Sequence, residues 1–77
     1  MITEYFTFGI NQYHTANVLE LMHKKVIKIT GKSVNHCREA MFKMFGAKWS
    51  NQYSEKEFKS NPYISDYKVY LDITLND

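Results

Sequence analysis

Residues 33–46, SVNHCREAMFKMFG, constrain this chain most, because three independent helix signals coincide there. Ser33 is an N-cap residue whose hydroxyl can accept from a free backbone N–H of the first turn. Wound at 100° per residue, Val34, Cys37, Ala40, Met41, Met44 and Phe45 fall on one arc; Asn35, His36, Glu39 and Lys43 fall opposite. Gly46 stands where a left-handed terminating residue is wanted, and Lys43 and Lys48 lie near the negative end of the helix dipole. An amphipathic helix with one apolar stripe needs a second layer to cover it. Arg38 and Phe42 lie at the edge of that stripe, where the ring either wedges against a loop or presents a contact surface.

The second layer is expected to be a sheet. ITEYFTF, residues 2–8, is β-branched and aromatic, with Ile2, Glu4, Phe6 and Phe8 on one side and Thr3, Tyr5 and Thr7 on the other. Gly9 ends it, and the polar run 9–17 reads as a loop with Tyr13 and His14 near its middle. VLELM, residues 18–22, fits a helical turn or the start of a strand, since pattern alone does not arbitrate so short a run. KVIKIT, residues 25–30, is a strand with Ile27 and Ile29 one way and Lys28 and Thr30 the other; Gly31 and Lys32 turn it into the helix.

After Trp49, SNQY reads as a short strand, and Ser54 with Glu57 has capping-box spacing for one helical turn, ended by Asn61-Pro62. In YKVYLDITL, residues 67–75, alternation sends Tyr67, Val69, Leu71, Ile73 and Leu75 inward and Lys68, Tyr70, Asp72 and Thr74 outward. The prediction is a single α+β domain over residues 1–77, a small two-layer structure. An antiparallel sheet of three or four strands carries one long helix packed across it. A last strand at the sheet edge would offer unpaired groups to another chain.

Seventy-seven residues bury only about 60% of their unfolded surface, so such a domain is marginal. A hydrophobic content of 44% and an aromatic content of 16% nevertheless exclude a disordered tail. One cysteine excludes an internal disulfide framework; with no leader-like start, the expected setting is a reducing cytoplasm. No apolar run approaches the roughly 18–20 residues of a membrane span, so no membrane association is expected. Net charge is +2, but residues 23–48 hold seven Lys/Arg against the single acid Glu39. That basic middle suits a polyanion or an acidic protein surface, or is an ordinary solvated face.

No cofactor, metal or catalytic constellation is expected. His14, His23, His36 and Cys37 lack the paired spacings of zinc ligands, and Cys37 lies within the apolar stripe as a small hydrophobe. Neither a glycine-rich phosphate loop nor a nucleophile-elbow pattern occurs, which points away from an enzyme. Nucleic-acid binding draws on tyrosines interleaved with Lys24, Lys25, Lys28 and Lys32, although a small domain spends most of its aromatics on its own core. Trp49 accordingly reads as a plug between helix and sheet, against the alternative of a stacking platform. Protein binding draws on the same tyrosine surplus, since such residues are enriched at interface hot spots.

YFTFG at residues 5–9, the loop bearing His14, and MFKMFGAKWSNQY at residues 41–53 together resemble a group of short proteins encoded by tailed bacteriophages. The matching positions are Ala40, Met41, Phe42, Phe45, Gly46, Trp49 and Tyr53, and the likeness covers about the first 55 residues. It departs over residues 17–25, and the last strand adds nothing to it. That group has no assigned activity, so the resemblance implies a setting: a phage accessory protein made in a bacterial cytoplasm. By analogy with small phage proteins that block host machines, the expectation is a stoichiometric inhibitor of a bacterial defence or host protein, of the anti-CRISPR or anti-restriction type. A nucleoprotein complex is among the expected targets. The expected contacts are Tyr13, His14, Lys24, Lys25, Lys28, Gln52 and Tyr53. The alternatives are a nucleic-acid-binding protein, or a homodimeric sponge for a signalling nucleotide lined by His14 and tyrosines.

Overall fold

A computed structural model describes residues 1–9 and 24–76. In chain order the elements are β1 (Ile2–Thr7), β2 (Lys25–Gly31), α1 (Val34–Phe45), β3 (Asn51–Ser54), α2 (Glu55–Ser60) and β4 (Lys68–Thr74). The four strands form one sheet in the order β3-β1-β2-β4. The class is the α+β expected, but the sheet is mixed. β1 runs antiparallel to β2 and β3, whereas β4 runs parallel to β2. Parallel neighbours need a crossover of a dozen or more residues, and the segment holding α1, β3 and α2 supplies it. β4 does lie at an edge, as does β3.

Helix α1 starts and stops where the sequence places it. The Ser33 hydroxyl accepts from His36 N–H at 3.1 Å, and Gly46, at φ 60°, donates to Phe42 O at 2.8 Å. With 12 residues it is a helix of ordinary length rather than a long one. Its buried stripe is Cys37, Met41 and Phe45, packed against Phe6, Phe8, Ile27, Ile29 and Trp49. Val34 and Met44, expected on the stripe, are exposed. Both sit on its flanks, beyond the width that the sheet covers.

The opposite face of the sheet is covered too, which the two-layer expectation did not foresee. Tyr5, assigned outward by alternation, is buried with Val26, Phe58 and Ile64. Its ring stacks on Phe58 at 4.2 Å and its hydroxyl donates to Glu55 Oε2 at 3.5 Å. The capping box is formed at both of its bonds and positions α2 for this: Glu57 N–H donates to Ser54 Oγ, and Ser54 N–H to Glu57 Oε1.

β4 departs from strict alternation. Val26 pairs with Val69 but Ile27 pairs with Leu71, so Tyr70 is the extra residue of a bulge. The bulge turns Tyr70 toward the α1-side core beside Leu71, Ile73 and Leu75, and leaves Val69 44% exposed. Tyr67 packs on the other face. The inward register expected for Tyr67 and Val69 is therefore corrected, while Leu71, Ile73 and Leu75 hold.

Gly31 is a point of close approach between helix and sheet. A methyl placed there would lie 2.9 Å from His36 Nδ1, 3.1 Å from Leu75 Cδ1 and 3.2 Å from Cys37 Sγ. Gly31→Ala should therefore cost about 1–3 kcal/mol by overpacking, lowering Tm by roughly 4–8 °C for each kcal/mol in a domain of this size; thermal unfolding followed by circular dichroism reads this. Cys37 is fully buried, its Sγ 3.5 Å from Ile29 O, and burial pushes its thiol up, with the Glu4 charge adding to the shift. A thiol reagent should label it slowly in the native protein, with the rate climbing steeply through the denaturant midpoint. Prompt labelling without denaturant would contradict the packing described.

Candidate functional site

Among the described residues, an open groove of about 690 Å³ lies between α1, β3 and α2. One wall follows from helix periodicity: Val34, Arg38 and Phe42 are spaced at four residues and so line up along α1. Ala47 and Trp49 extend that wall beyond the helix stop, and Ser50, Asn51, Gln52, Ser54 and Glu57 form the other. Glu4 of β1 lies at the floor and is only 4% exposed.

A chain of hydrogen bonds crosses the groove. Arg38 Nη1 donates to Gln52 Oε1 at 3.1 Å, and Gln52 Nε2 donates to Glu4 Oε1 at 3.0 Å and to Val34 O at 3.3 Å. With both ends of its amide engaged, the Gln52 side chain is fixed in orientation. The Arg38 guanidinium lies 5.2 Å from the Phe42 ring centre and 5.1 Å from that of Trp49, within cation–π range. Trp49 donates through Nε1 to Gly46 O at 3.1 Å and meets Phe6 edge-on at 5.2 Å. At 9% exposure it is the plug between helix and sheet, with one edge left for the groove.

The electrostatics follow from the burial of Glu4. Desolvation pushes its carboxyl above the usual range; the Gln52 hydrogen bond opposes that shift and the neighbouring Glu57 charge adds to it. Glu57 itself is held below the usual range by its bonds to the backbone and side chain of Ser54. Among the described residues, no group of three or more His, Cys, Asp or Glu side chains is arranged to hold a metal ion, and no helix is long and apolar enough to cross a membrane.

The expected contact residues are not gathered into one place. Gln52 is in the groove, but its neighbour Tyr53 packs against the second core cluster on the other face. Lys24 is exposed ahead of β2, the Lys25 ammonium lies 5.1 Å from the Tyr70 ring, and Lys28 is 3.8 Å from Asp72. The basic strand thus belongs to the β2–β4 side of the sheet, two strands or roughly 10 Å from β3. Tyr13 and His14 lie outside the described residues. Sequence reasoning missed Glu4 and Glu57 as groove residues. A signal for Glu4 existed, since it shares the apolar side of β1 with Phe6 and Phe8.

Because the folded protein holds the Glu4 proton more tightly than the unfolded chain does, stability from this group falls as pH rises from the ordinary carboxylate range through its raised value. Glu4→Gln keeps an acceptor for Gln52 and removes the charge. Its Tm should exceed that of the parent at pH 7, with the gap closing toward pH 4.5, the ordinary carboxyl value; a pH series of thermal melts measures it, and an equal or lower Tm at neutral pH would refute the burial argument. No family model, curated protein or solved structure matches this chain.

Proposed function

We propose that this chain is a stoichiometric protein binder that uses the α1–β3 groove and its rim as its contact surface. The observation that carries the reading is the Arg38 guanidinium set against Phe42 and Trp49 beside an open groove, with Phe42 itself 43% exposed. Tryptophan and arginine are enriched at interface hot spots, which become fully desolvated when the partner covers them. Here the arginine is held by Gln52 before any partner arrives, so less side-chain entropy is lost on binding. A standard interface takes about 800 Å² per partner, a modest share of the 5031 Å² surface.

The partner class rests on the bacteriophage resemblance of residues 5–9 and 41–53. It is a bacterial defence or host protein, and the binder acts by occupying its surface. Phe42, Gly46 and Trp49 of that motif all bear on the groove or its helix stop, so the motif would serve binding as well as folding.

A second reading, nucleic-acid binding, is favoured by one feature: Lys25 and Lys68 stand opposite each other across β2 and β4, next to Lys24. Such a site would lose affinity steeply with salt. The two readings separate by mutation. Arg38→Ala and Phe42→Ala should each weaken a purified one-to-one protein complex by about tenfold or more, at least 1.4 kcal/mol, whereas Lys24→Ala with Lys25→Ala should leave it within about twofold; isothermal calorimetry reads both. The opposite pattern, with steep salt dependence on an oligonucleotide, would transfer the function to the lysine side.

A further inference from the structure

The floor of the groove carries a charge that the described residues do not neutralise. Glu4 Oε1 is bonded to the neutral Gln52 amide, and no cation among the described residues pairs with the carboxylate. Arg38 is the cation of the groove wall, but it reaches only the far side of Gln52 and lays its charge on the rings of Phe42 and Trp49. Gln52 thus acts as a spacer that keeps guanidinium and carboxylate apart. On the same wall as Gln52, Glu57 adds a second negative charge. No side-chain oxygen in the described protein is both fully buried and unbonded, so Glu4 Oε2, which has no hydrogen-bond partner there, keeps some exposure, and Glu4 lines the groove.

A poorly solvated carboxylate with one neutral partner is costly to keep charged, and an incoming cation relieves that cost. Charge-assisted hydrogen bonds in such a setting are stronger than those between exposed ions. We propose that the groove seats the cationic head of a lysine or arginine side chain presented by the partner protein, with Glu4 on the floor and Glu57 on the wall as its counter-charges. The inference rests on the protein-binding reading above and adds the chemistry of what enters. Charge complementarity selects a cation, and the groove wall selects a protein to bring it. Phe42 and Val34 beside the acidic floor are exposed apolar surface that a free amine would leave uncovered, while an attached polypeptide covers both. The Arg38 donors not used on Gln52 can take carbonyl oxygens of the same segment.

The test uses the full chain, labelled with nitrogen-15, and three probes: an acetylated and amidated pentapeptide with a central arginine, the same peptide with norleucine there, and free agmatine. The arginine peptide should move the Gln52 side-chain amide and the Trp49 indole N–H signals, and bind at least tenfold more tightly than the norleucine peptide. Glu4→Gln, an isosteric change whose folding the same spectra verify, should weaken the arginine peptide tenfold or more; Glu57→Gln should weaken it by a smaller factor. Equal binding of the two peptides, or unchanged affinity in Glu4→Gln, would overturn the proposal. So would agmatine binding as tightly as the peptide, because the site would then belong to a small amine. A protein complex abolished by Phe42→Ala yet indifferent to Glu4→Gln would remove this inference and leave the binder reading standing. Peptide binding at the groove in a chain for which no protein complex forms would do the reverse.

Discussion

Helix α1 lies close on the two central strands, and the rest of the molecule depends on how close. Cys37 at its first turn faces Gly31 at the end of β2, where even a methyl group would crowd sulfur, imidazole and Leu75 together. Small atoms at that point let the helix descend far enough for Met41 and Phe45 to meet Phe6, Phe8, Ile27 and Ile29. Interiors packed at crystal-like density tolerate little error in such spacing. In a domain this small the same contact supplies much of the apolar burial, so fold and helix position are set together.

That position also makes the groove. With Cys37, Met41 and Phe45 turned down, the row Val34, Arg38 and Phe42 is turned toward β3, the short edge strand. Trp49 closes the end of the helix against Phe6 and offers the arginine a ring face. The groove is therefore a by-product of core packing, and its polar members are held by bonds to elements the core already fixes. Gln52 sits at the join, bonded to the helix through Val34 and Arg38 and to the sheet through Glu4. α2 completes the wall from the other side, carrying Glu57 at the position its own capping box dictates.

The two edges of the sheet are unlike. β4 is bulged at Tyr70 and carries exposed Lys68 and Asp72, features that discourage pairing with another strand. β3 is only four residues long, and its last N–H is already given to Glu57. Neither edge is a long, flat template, and the α1–β3 groove is the more developed concave surface. The mixed sheet has the same origin: α2 must cross the sheet to bury Phe58 against Tyr5, and the chain then returns beside β2 in the parallel sense.

The local sequence determined what local rules govern. Ser33 and Gly46 bounded α1, Ser54 and Glu57 began α2, and the β-branched runs marked β1 and β2, because capping and strand preference depend on residues a few positions apart. It determined too that Cys37 would behave as a hydrophobe and Trp49 as a plug, since both lie in or just beyond an apolar stripe. Only the tertiary structure decided that Tyr5 is buried rather than outward, that β4 runs parallel to β2, and that a bulge reverses Val69 and Tyr70. Each depends on what packs against a face from far along the chain. The groove belongs to that second kind. Glu4, Arg38, Gln52 and Glu57 are 34, 14 and 5 positions apart along the chain, and no periodicity relates them. Long-range packing brings them together, and it does so by pressing an acidic residue of an apolar strand face beneath a helix whose Arg38 is bonded to Gln52 rather than to that carboxylate.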